Sequence, residues 1–242
     1  MWNWQQHQQS GVYLYISVGY RLVRMNSNRS VWVVRHAERE DNINVNWRRL
    51  PLARDLAIDN SMLSERGRGQ AKECAARFRN INITNVFASP YDRTIQTASI
   101  IAAEKNLLVK PEPGLCEALH HCCDPPAFWT PEKLKEKYPL VDTKYIPVVP
   151  RTSLPKQEFG DNACKPRIRV TLNRLTEKYE GDLLLVSHGA PIAAIHKVWN
   201  NRYLYVGQAT VSKFIEVEKG KFRLEFTSDA SHLSDKTNHR PW

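Results

Sequence analysis

Cysteine is scarce in this chain and unpaired in pattern: five residues, an odd number, with no CxxC spacing among them. That composition excludes a secreted disulfide framework and points to free thiols in a cytoplasmic protein. The apolar stretch GVYLYISVGYRLV near the N-terminus is too short to cross a bilayer. It also lacks the basic lead and small-residue cleavage site of a signal peptide, so neither export nor membrane insertion is expected. No long Lys/Arg run exists, and the motifs of nucleic-acid-binding domains are missing, which argues against a nucleic-acid partner. There is no internal repeat, no low-complexity linker and no GxSxG elbow of a serine hydrolase.

The chain does have a globular composition. Apolar residues make up 42% of 242 and aromatic residues 10%, enough for one α/β domain with a sizeable core. Lys and Arg number 35 against 25 Asp and Glu, a net charge of +10 that favours anionic partners. Residues 1–24, rich in Gln and Trp at their start, differ in character from the rest of the chain and are expected to be a dispensable extension. The domain proper is placed at 25–227, with a polar tail at 228–242.

Several segments repeat one grammar of apolar run, turn and amphipathic pattern. Val31–Val34 reads as a first strand. Ser64 or a neighbour caps a helix with Ala71, Cys74, Ala75 and Phe78 on its apolar face. NVFASPYDRTIQTASII gives a short strand, a Ser-Pro turn and a helix presenting Ile95, Ala98, Ile101 and Ala102. Thr130-Pro131 opens another helix, a further one runs from about Cys164 to Tyr179, and DLLLVSHGAPIAAIHKVW supplies strand, turn and helix again. Two alternating strands around Lys219-Gly220 form a hairpin. VWVV and LLLV do not alternate, as expected of strands covered on both faces. The fold class is α/β: three layers, a mainly parallel sheet with helices on both sides.

In open parallel sheets, ligands bind beyond the carboxyl ends of the strands. Three such ends carry unusual residues: Arg35-His36, then Ser89-Pro90 with Arg93, then Ser187-His188-Gly189. Any one alone reads as a polar cap, but three in the same structural position read as a site. Arginine grips phosphate oxygens through fixed, bidentate hydrogen bonds. A neutral imidazole is a competent nucleophile towards phosphorus, and neighbouring guanidiniums disfavour its protonation. A second histidine can donate hydrogen bonds to the phosphoryl oxygens. A carboxylic acid must then protonate the leaving oxygen. No cofactor and no metal are needed.

The segments VVRHAE, LSERGRGQA, VFASPYDRTIQTA, EPGLCEAL and LLLVSHGA, in that order, resemble the histidine phosphatase superfamily of phosphoglycerate-mutase-like fold. The resemblance implies His36 as the phosphorylated nucleophile, His188 as the second pocket histidine and a phosphate ligand, Arg35 and Arg93 as phosphate ligands, and Glu117 as proton donor. Within the superfamily, RHAER, EPGLCE and VDTKYIPVVP are most similar to the phosphatase module of the suppressors of T-cell receptor signalling and to ecdysteroid-phosphate phosphatase. That similarity adds Arg39 as a phosphate ligand and makes Asp41–Met62 an insertion beside the pocket. The chain departs from those signalling proteins in leaving no room for ubiquitin-associated or SH3 domains, so targeting by them is not expected. Ala37 stands where the family has glycine, and no aromatic comes after Glu117 where the signalling phosphatases place one.

The expected activity is phosphomonoester hydrolysis of a phosphorylated small molecule or phosphoprotein; a homodimer is compatible with the sequence. Two alternatives stay open: a phosphoglycerate-type mutase, against which Arg39-Glu40-Asp41 replaces the polar stretch of the family's mutases, and a catalytically weak phosphate-binding scaffold. Glu112, beside two prolines, reads as an exposed loop charge and the lesser rival of Glu117. Ser187 orients the strand end or caps the helix at Ala190. His196 reads as a helix surface residue. In LHHCCD, neighbouring side chains diverge and do not close on one metal ion, so His120 and His121 read as loop or pocket rim.

Overall fold

A computed structural model describes residues 29–240; the expected extension at 1–24 and Trp242 lie outside the described residues. Six strands form one mixed sheet in the order β3-β2-β4-β1-β5-β6. These are β1 (Ser30–Arg35), β2 (Ile83–Ala88), β3 (Val109–Pro111), β4 (Asp182–Ser187), β5 (Val211–Glu218) and β6 (Lys221–Asp229). The first four strands run parallel, while β5 and β6 add an antiparallel edge on β1.

The uninterrupted apolar runs in β1 and β4 reflect their central place in the sheet. Val31, Val33, Leu183 and Leu185 point to one face, where α4 (Lys165–Lys178) and α5 (Gly189–Asn200) pack through Ile168, Leu172, Leu175, Ile192 and Ile195. Trp32, Val34, Leu184 and Val186 point to the other, against α1 (Glu65–Phe78) and α2 (Asp92–Ala103). Each buried aliphatic side chain contributes about 1.5–3 kcal/mol relative to exposure. The expected three-layer α/β architecture is therefore present.

Local signals act as their chemistry requires. Ser64 Oγ accepts from the Gly67 amide at 2.9 Å and caps α1. A Cβ on Gly67 would lie 2.1 Å from the Glu38 carbonyl oxygen, so only glycine lets this helix start touch the loop after β1. Thr130 caps α3 (Pro131–Lys137), and Gly220, at φ 75°, turns the β5–β6 hairpin. Strand β6 continues to Asp229, two residues beyond the expected domain end. Residues 230–240 fold back onto the domain: Leu233 is buried, and Arg66 bonds Asp235 and the Thr237 carbonyl.

His196 corrects the expectation of a surface residue. It is fully buried, with Nε2 3.2 Å from Thr227 Oγ1 and its ring 5.1 Å from that of Phe214. The β5–β6 hairpin covers the part of α5 that the helical pattern alone leaves to solvent. Burial depresses the His196 pKa to about 4. Below an unfolded imidazole pKa of about 6.5 the unfolded chain binds the extra proton, so His196 makes stability fall as pH drops from 6.5 towards 4. Replacing it as His196→Gln should flatten part of that loss in urea unfolding midpoints measured between pH 7 and 4. An unchanged slope would remove His196 as a source of acid sensitivity.

Candidate active site

The site begins with strand register. Strands β1 and β4 pair in parallel with Arg35 opposite Ser187, and the His36 amide donates to the Ser187 carbonyl at 3.0 Å. The next residues, His36 and His188, therefore leave the same end of the sheet side by side. Their rings stand 5.3 Å apart, edge to face. Strand β2 brings its own exit beside them: the Ser89 amide bonds the Val186 carbonyl, and Ser89 Oγ lies 2.7 Å from His188 Nε2.

His36 Nδ1 lies 2.8 Å from its neighbour's carbonyl, Ala37 O. A carbonyl only accepts, so this bond places the ring proton on Nδ1 and leaves the Nε2 lone pair for chemistry. The loop behind it is tightly held. Glu38, 3% exposed, accepts from Ser64 Oγ and from Arg66, and its amide donates to Gln70. The Ala37 methyl packs with Leu63, Ala71, Ala209 and Leu233, so it is occupied in the core.

Arg93 sits in the first turn of α2, with Nη1 on the Asp59 carbonyl and its guanidinium 4.7 Å above the Tyr91 ring. Arg35 Nη1 donates to Val206 O and to Arg240 O in the returning tail. Glu117 Oε1 accepts from the Ala118 amide, while Oε2 is 3.9 Å from His188 Nδ1. Among the described residues, Arg35 Nε, Arg93 Nε and His188 Nδ1 are buried without a hydrogen-bond partner. Buried unpaired polar groups are rare and costly; here three occur within one cluster of residues.

Burial first, then the charges of Arg93, Arg35 and Arg39, push the His36 pKa well below the ordinary imidazole value. Burial and Arg93, then His36 and the other two arginines, do the same to His188. Burial lowers Arg35 and Arg93 to about 10, so both stay charged at neutral pH. The arrangement is a pair of neutral imidazoles between two buried cations with unused donors, suited to a compact oxyanion.

The profile of the histidine phosphatase superfamily (branch 1) matches residues 31–229. The chain belongs to this superfamily. It is similar to phosphoserine phosphatase 1 of Hydrogenobacter thermophilus, 28% identical over 168 residues, covering 68% of this chain and 72% of that protein. It is also similar to ubiquitin-associated and SH3 domain-containing protein A of Mus musculus, 34% identical over 121 residues. That match covers 46% of this chain but 19% of the relative, so the chain spans less than a fifth of its length. Among solved structures, ecdysone phosphate phosphatase from Bombix mori superposes with a TM-score of 0.63 at 21% identity, covering 83% of this chain and 93% of that one. A phosphoglycerate mutase from Bacillus anthracis gives 0.59 at 19%, covering 84% and 94%. The structural neighbours establish the superfamily's fold.

Five of the six expected site residues of this superfamily member lie close together: Arg35, His36, Arg93, Glu117 and His188. Arg39 is nearby and adds its charge to theirs, but its guanidinium is engaged by both oxygens of Asp41. Glu112 is a correction. It is fully buried, not an exposed loop charge, and accepts from Tyr145 Oη (2.6 Å) and the amides of Gly114, Val148 and Val149. Of the prolines beside it, Pro111 ends β3 and Pro113 opens a short turn. Ser187 does not cap α5; its hydroxyl donates to Leu115 O at 2.7 Å and ties β4 to the segment bearing Glu117.

Sequence reasoning missed two supporting residues. Arg167 donates to the carbonyls of Gly114, Cys116 and Glu117 and pairs with Glu158 at 2.8 Å. Glu158 in turn accepts from the Leu119 amide. Both are buried and together they set the path of the Glu117 segment. No local pattern marks either one, since Arg167 lies on an amphipathic helix and Glu158 in a polar loop. In urea unfolding, Glu112→Ala should cost about 3 kcal/mol or more, because it strands four donors. Glu117→Gln should stay within about 0.5 kcal/mol of the native chain. Equal losses would refute the division into a structural and a site carboxylate.

Proposed function

We propose that this chain is a phosphomonoester hydrolase that works through a phosphohistidine on His36. The observation carrying this reading is the convergence of two neutral buried histidines and two buried arginines with unused donors, with the Glu117 carboxylate beside them. The superfamily membership supports it. So do relatives named for work on phosphate monoesters, phosphoserine phosphatase 1 and a 2,3-bisphosphoglycerate-dependent phosphoglycerate mutase of Thermoplasma acidophilum.

In the first step the His36 Nε2 lone pair forms a bond to phosphorus as the bond to the leaving oxygen breaks. Glu117, in its acid form, gives its proton to that oxygen. Arg35, Arg93 and His188 hold the non-bridging oxygens, donating where charge develops. In the second step a water attacks phosphorus, the phosphorus–nitrogen bond breaks and Glu117 takes the water's proton. Inorganic phosphate leaves and His36 returns neutral. Arg39 reaches the phosphate by releasing Asp41. The leaving group, from a phosphorylated small molecule or a phosphoprotein, lies towards segments 42–62 and 119–156.

Turnover of p-nitrophenyl phosphate tests the reading. His36→Ala should abolish it, and Glu117→Gln should lower kcat by about 10²–10⁴-fold, the contribution of a positioned proton donor. Acid-labile label on the native chain after a brief pulse of labelled substrate, absent from His36→Ala, reports the covalent step. Residual turnover in His36→Ala equal to the native rate would overturn the mechanism.

The pH dependence comes from the depressed histidines. Protonation disables the nucleophile, and a free imidazole at pH 5 is about 97% protonated. Because the His36 pKa is held well below 6.5, turnover should persist at pH 5. A loss of kcat/KM centred near 6.5 in the free enzyme would contradict that environment.

A further inference from the structure

We propose that His120, His121 and Asp161 form a binding site for a divalent transition-metal ion of the zinc type, outside the phosphate pocket. The sequence alone argues against it, since adjacent side chains in LHHCCD diverge. The structure resolves this with a tight turn at Leu119–His121 and a ligand from elsewhere. The two rings lie 3.8 Å apart, tilted by 41°. Their Nε2 atoms both approach one oxygen, Asp161 Oδ1, at 3.1 and 3.0 Å, and the three candidate ligand atoms lie within 4.8 Å of one another. Around a tetrahedral zinc with bonds of about 2.0–2.1 Å, ligand atoms stand about 3.3 Å apart. Shifts of a fraction of an ångström to about 1.5 Å would therefore seat the ion.

A second feature favours coordination over a casual contact. Tyr205 Oη donates to the other oxygen, Asp161 Oδ2, at 3.1 Å, which turns Oδ1 towards the histidines. Such outer partners orient ligands in metal sites and strengthen binding. Two imidazoles and a carboxylate suit zinc and its neighbours, whereas magnesium and calcium prefer oxygen ligands. Three protein ligands leave a fourth position open to water. Neither cysteine of the motif belongs to the cluster of ligand atoms, and Cys122 Sγ faces the Glu117 and Ala118 carbonyls instead. His120 comes three residues after Glu117, a span of at most about 10 Å along the chain.

Calorimetric titration of the metal-free full chain with zinc chloride tests the site, with cobalt(II) absorption reporting coordination. One saturable site per chain is expected, with affinity falling at least about tenfold in His121→Ala and in Asp161→Ala and less in Tyr205→Phe. Millimolar magnesium should not compete. His36→Ala should keep the site, which separates it from chelation by the pocket histidines. Circular dichroism checks that each variant is folded, and zinc should raise the melting temperature of the native chain but not of His121→Ala/Asp161→Ala. Unchanged zinc affinity in that folded double variant, loss of the site in His36→Ala instead, or no saturable binding by the native chain would each overturn the proposal.

Discussion

The parallel pairing of β1 with β4 is the constraint on which the site depends. Backbone hydrogen bonds between the two strands set Arg35 against Ser187, and one step further the His36 amide bonds the Ser187 carbonyl. Two histidines separated by more than 150 residues are thereby delivered to the same strand ends. The apolar layers on both faces make slippage of this pair costly, because a shift of one residue would turn Val31 and Val33, or Leu184 and Val186, to the wrong side.

Around that pair the fold holds charge in an unfavourable place. Arg35 and Arg93 are buried, and among the described residues neither bonds a carboxylate. The same burial and the same guanidiniums keep His36 and His188 neutral. Each guanidinium keeps an Nε donor without a partner among the described residues. The contrast with Arg167 is instructive. There an equally buried guanidinium has Glu158 and three carbonyls, and its work is to hold the chain that presents Glu117.

The elements with local causes were legible in the sequence. Non-alternating apolar runs gave β1 and β4 their central places, and Ser64, Thr130-Pro131 and Gly220 punctuate the chain where capping and turn chemistry put them. Arg35, His36, Arg93, Glu117 and His188 were legible because each sits at a strand exit or in a motif. The misreadings share one cause. Glu112 and His196 look exposed to a local pattern, yet distant segments cover them: residues 145–149 close over Glu112, and the β5–β6 hairpin closes over His196.

By itself, then, the sequence determined an α/β domain with histidines and arginines gathered at its strand ends, because hydrophobic period and turn chemistry act over a few residues. Only the tertiary structure decided which carboxylate is structural and which lies beside His188, that Arg39 is engaged by Asp41, that Arg167 and Glu158 brace Glu117, and that Asp161 joins two adjacent histidines. Those outcomes depend on which distant groups exclude water from a polar atom or satisfy it, and no local spacing encodes that.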